Sequence, residues 1–74
     1  MDMTARSVLL RAIEERERHN PPMNWIETER DGYFWRVKFK AETGKPVWID
    51  KIEKAGTTTK GWGFGLEKIE ELLR

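Results

Sequence analysis

Apolar and polar side chains alternate from Tyr33 to Ala41. Tyr33, Trp35, Val37, Phe39 and Ala41 fall on one side, and Phe34, Arg36, Lys38 and Lys40 on the other. A period of two predicts a half-buried antiparallel strand. Its second face carries three cations and an aromatic ring, an unusual mixture for a purely solvated surface. The spacing changes at both ends of the chain. Ala5, Val8, Leu9, Ala12 and Ile13 fall at i, i+3, i+4, i+7 and i+8. That stripe predicts a helix from Asp2 to about Arg18, with Asp2 or Thr4 as its cap. Asn20-Pro21-Pro22 stops it, because proline lacks a donor and restricts the residue before it. Leu66, Ile69, Leu72 and Leu73 predict a closing helix over Leu66–Arg74.

Turn chemistry divides the middle of the chain into three strands, at about Met23–Glu29, Tyr33–Ala41 and Pro46–Lys54. Asp31-Gly32 suits a two-residue hairpin turn, and Glu42-Thr43-Gly44 a three-residue loop with glycine in the left-handed region. Ala55–Gly65 reads as irregular. The expected fold class is α+β: a helix, a three-stranded antiparallel meander and a helix (αβββα), both helices on one face of the sheet. The length, 74 residues, predicts a single domain over 1–74.

Loop lengths also set the register. The first turn pairs Arg30 with Tyr33, Thr28 with Trp35, Ile26 with Val37 and Asn24 with Phe39. The second pairs Ala41 with Lys45, Phe39 with Val47 and Val37 with Ile49. The outer face then carries three rows: Trp25-Lys38-Trp48, Glu27-Arg36-Asp50 and Glu29-Phe34-Ile52. Arg36 sits between two acids and Lys38 between two indoles, arrangements that stabilise a sheet modestly. A one-residue slip would turn Asp50 toward the helices, at the cost of burying an unpaired carboxylate.

Composition limits what such a chain can do. It buries only about 60% of its unfolded surface and has no cysteine for a disulfide framework. Its core therefore depends on four Trp, three Phe and one Tyr. Fourteen basic residues against 13 acidic ones leave a net charge of +1, so there is no global attraction to nucleic acid or membrane. No apolar run approaches the roughly 20 residues of a membrane span, and the start lacks a signal-peptide pattern. A soluble, cytoplasmic protein is the expectation.

Catalytic chemistry has little to work with. The only histidine, His19, flanks the helix stop and suits interaction with the helix C-terminus. Ser7, the only serine, has no base nearby in sequence. Glu27, Glu29 and Asp50 cluster with Arg36 among them, which reads as cross-strand ion pairing rather than acid–base work. No catalytic residue, metal ligand or cofactor is expected. Gly61-Trp62-Gly63-Phe64-Gly65 precedes a helix and, with Lys60 and Thr57–Thr59, could let amides approach a phosphate. It lacks the Gly-Lys-Ser/Thr ending of a P-loop. Alternatively Trp62 and Phe64 fold back as core plugs, or cross the outer sheet face and bury it.

The order helix, three antiparallel strands, helix resembles the double-stranded-RNA-binding domain in outline. The region Lys60–Lys68 lacks that family's basic cluster and alanine-rich helix, so no residue carries over. The outer face is the best candidate site, with Trp25, Phe34, Arg36, Lys38, Trp48, Lys60 and Trp62 as binding residues. The expected function is a small non-enzymatic module binding another protein, as an inhibitor does, or a second copy of itself. The alternative is nucleic-acid binding through the same aromatic and basic face and the Lys60 loop.

Overall fold

The computed structural model describes residues 3–53 and 61–74. Its elements are α1 (Met3–Arg18), β1 (Trp25–Arg30), β2 (Tyr33–Phe39), β3 (Pro46–Glu53), β4 (Gly61–Phe64) and α2 (Leu66–Leu72). The sheet is an antiparallel meander in the order β1-β2-β3-β4. The α+β class and the helix positions agree with the sequence. The strand count does not: the described residues form four strands, and the fourth comes from the segment read as irregular. Thr4 lies within the first turn of α1 rather than ahead of it. Asp2 and Lys54 lie outside the described residues.

Both helices cover the same sheet face. Ala5, Val8, Leu9 and Ala12 of α1 and Ile69 and Leu72 of α2 close over Ile26, Trp35, Val37, Phe39 and Ile49. Trp35 is 1% exposed and anchors the layer. Its Nε1 donates to the carbonyl of Arg30 at 3.2 Å, and its ring meets Tyr33 and Trp62 edge-on. A buried indole satisfied in this way adds apolar area without an orphaned donor. Two arginines tie the ends of α1 down. Arg6 Nη1 donates to the Leu72 carbonyl at 3.2 Å, and Arg16 donates to Asn24 Oδ1 at 3.2 and 3.1 Å while lying over Phe39.

The first hairpin has the expected register throughout, from Arg30↔Tyr33 to Trp25↔Lys38. Asp31 (φ 54°) and Gly32 (φ 81°) both adopt positive φ, as a turn matched to strand twist requires. The second hairpin departs from expectation past Lys38↔Trp48: Phe39 faces Pro46, not Val47, across a bulge. Lys40 N donates to the Lys45 carbonyl at 2.9 Å and Gly44 N to the Lys40 carbonyl at 2.7 Å. The loop is therefore 41–44, and Lys45 faces Lys40 rather than Ala41. Gly44 still takes the expected left-handed conformation, at φ 73°. The bulge absorbs the extra loop residue, so the faces of Val37, Ile49 and everything beyond them are preserved.

In β4, Trp62 faces Lys51 and Phe64 faces Ile49. Both rings therefore lie on the helix side, packed against the core and against each other with centroids 4.3 Å apart. They plug the core and do not cross the outer face. Lys51 joins them from β3. Its Nζ lies 4.5 Å from the Tyr33 ring, 5.0 Å from Trp35 and 5.1 Å from Trp62, so its stem packs inside while its charge meets three ring faces.

Candidate functional site

The outer face of the sheet has no helix on it among the described residues. Strand alternation and the two register constraints bring Trp25, Glu27, Phe34, Arg36, Lys38, Trp48, Asp50 and Ile52 to this face in the three expected rows. Trp62 does not join them, because it belongs to the helix side. Lys60 and Thr57–Thr59 lie outside the described residues. Gly61–Phe64, weighed in the sequence as either a phosphate-approaching loop or a segment plugging the core with Trp62 and Phe64, is a paired strand, and Gly65 alone separates it from α2.

The middle row is an ion-pair network. Arg36 Nε and Nη2 donate to Asp50 Oδ1 and Oδ2 at 2.7 and 2.9 Å, a bidentate fork. The Asp50 side chain is only 13% exposed. The Asp50 hydrogen bond, together with the attraction of Asp50 and Glu27, pushes the Arg36 guanidinium above its ordinary value despite partial desolvation. The cluster of carboxylates is thus compensated, and no group of three metal-ligating side chains occurs among the described residues.

Both outer indoles are tied into this network. Trp48 Nε1 donates to Asp50 Oδ2 at 2.8 Å, and Trp25 Nε1 donates to Glu27 Oε1 at 2.8 Å. Arg36 and Lys38 both lie over the Trp25 ring, at 5.6 and 5.0 Å from its centroid. The pairing of Lys38 with two indoles holds for Trp25. Trp48 instead lies across β4, where a Cβ on Gly63 would collide with Trp48 Cζ2. Glycine at 63 therefore gives the indole its bed, a role the sequence signalled only through the alternation of Gly61 and Gly63 with Trp62 and Phe64.

The apolar surface forms two strips, divided by the Glu27-Arg36-Asp50 row. Trp25 (39% exposed) and Trp48 flank Lys38 on one side, and Phe34 (44% exposed) and Ile52 lie on the other. The hydrogen-bond donors of both indoles and the Arg36 fork point into the protein's own carboxylates, and the exposed surface of this face combines the Trp25 and Phe34 rings with Glu27, Glu29 and Lys38. Elsewhere, His19 Nε2 sits 3.5 Å from Glu15, just past the end of α1, and Ser7 Oγ accepts from Arg30 Nη1 at 2.6 Å. Neither has the nucleophile–base geometry of covalent catalysis. No described helix is long and apolar enough to cross a membrane. Comparison with protein-family models, with curated proteins and with solved structures finds no match to this chain.

Proposed function

We propose that this chain is a small non-enzymatic binding module that docks another protein on its outer sheet face. Trp25 and Phe34 supply the apolar contacts, Trp48 is a fixed wall seated on β4, and Arg36 and Lys38 set orientation. One observation carries this reading: the cationic fork of Arg36 is spent on Asp50, while Trp25 and Phe34 keep about two fifths of their surface exposed. A phosphate backbone needs cations with donors to spare and no nearby acids. A protein partner needs rigid aromatic anchors with satisfied polar neighbours, and tryptophan and arginine are the residues most enriched as such anchors.

Titration with single- and double-stranded oligonucleotides at low salt tests the choice. No binding is expected. Salt-sensitive binding that Lys38→Ala weakens would overturn the protein reading in favour of nucleic acid.

A further inference from the structure

A groove runs along the helix side of β1, at the edge of the sheet. It encloses about 530 Å³ and is lined by Ser7, Arg11, Ala12 and Glu15 of α1 and by Ile26–Arg30 of β1. Arg30 closes one end through its bond to Ser7. Among the described residues no strand lies beyond β1. Phe39 N donates to the Asn24 carbonyl at 2.9 Å, so Asn24–Phe39 is a hydrogen-bonded pair. Such pairs alternate along an antiparallel ladder. Ile26, Thr28 and Arg30 therefore turn their backbone groups toward β2, and Trp25 and Glu27 turn theirs to the open edge. An edge strand beside a helix-walled groove is the geometry for adding an extended peptide as a further strand.

The charges on β1 select the occupant. Self-pairing that keeps the helices of both copies on one side must place odd residues opposite odd ones. The longest overlaps put either Trp25 opposite Glu29 or Ile26 opposite Arg30. The first sets Glu27 against Glu27, and the second sets Glu27 against Glu29 twice. Like charges directly opposite are destabilising, so a second copy is a poor fit. The inner neighbour of β1 displays the pattern that does fit: Arg36 faces Glu27, Val37 faces Ile26 and Lys38 faces Trp25.

We infer that the open edge of β1 accepts an extended segment of a partner protein carrying a basic–aliphatic–basic alternation. Its cations lie beside Glu27 and Glu29 on the outer face, and its aliphatic side chains enter the α1–β1 groove. This site adjoins the Trp25–Phe34 face, sharing the outer-face carboxylates of Glu27 and Glu29, but its strand addition rests on the backbone of Trp25 and Glu27 and not on the ring of Phe34 or the side chain of Ile52.

A short capped peptide alternating arginine with valine tests the inference, against a peptide of the same composition with the arginines in one block. At saturation, the alternating peptide is expected to slow amide hydrogen exchange at Trp25 and Glu27 at least about tenfold, and the blocked peptide to leave it unchanged. Glu27→Gln should weaken the alternating peptide by roughly three- to tenfold, and Phe34→Ser should leave it unaffected. Equal responses to the two peptides would show charge attraction without strand addition and overturn the inference. So would binding that protects neither amide.

Discussion

Trp35→Ala is expected to remove about 3–5 kcal/mol of stability, the usual loss when a buried Trp is truncated. A chain of this length has a total of roughly 4–11 kcal/mol, so the variant should be largely unfolded or melt roughly 12–40 °C lower. The side chain is 1% exposed. Its removal deletes the hydrogen bond to the Arg30 carbonyl, two edge-on ring contacts and one of the three rings around Lys51. The neighbouring substitution is the control. Phe34 lies on the same strand and is 44% exposed, so Phe34→Ala should cost less than about 1 kcal/mol. Thermal melts followed by circular dichroism give both values. Equal losses would contradict the assignment of the two faces.

Gly63→Ala should cost about 1–3 kcal/mol, as overpacking does. Elsewhere in a strand, alanine would gain up to about 1 kcal/mol over glycine through lower backbone entropy. Here the new Cβ collides with Trp48 Cζ2 and meets Cη2 at 3.0 Å, and the indole must leave its bed. Leaving it breaks the Nε1 bond to Asp50 and loosens the acceptor that holds Arg36. The Trp48 indole N–H resonance should shift and lose protection. In a Trp48→Ala background the same substitution should be neutral or stabilising, because the clash is gone. An additive cycle would mean that Trp48 does not rest on Gly63.

Much of this arrangement was legible in the sequence, for identifiable reasons. Asp31-Gly32 permits one turn family, and that turn fixed the β1–β2 register residue by residue. The alternation in Tyr33–Phe39 assigned the faces correctly, and Arg36 did fall between Glu27 and Asp50. Three features were not legible. The loop 41–44 and the loop read from sequence both place Gly44 in the left-handed region, so glycine alone could not distinguish them. The bulge that brings Pro46, not Val47, opposite Phe39 followed from that ambiguity. Strand β4 was hidden because its glycines resemble loop punctuation. Their purpose appears only once Trp48 is placed on them, and Trp62 and Phe64 then complete the period of two. The role of Lys51 was hidden too, since a cation on the helix side looks like an edge residue until Tyr33, Trp35 and Trp62 converge on it.

The faces therefore divide the work. The helix side holds the fold, the outer side pairs Arg36 with Asp50, and the proposed docking role falls to the exposed Trp25 and Phe34 rings. The most direct measurement is capture from the native cell with the wild type and with Phe34→Ser, each first shown to have the same melting temperature within a few degrees. The account predicts a protein partner retained by the wild type and reduced at least roughly tenfold by Phe34→Ser, the loss expected from removing an aromatic anchor. Recovery of the same proteins in the same amounts by both would contradict it.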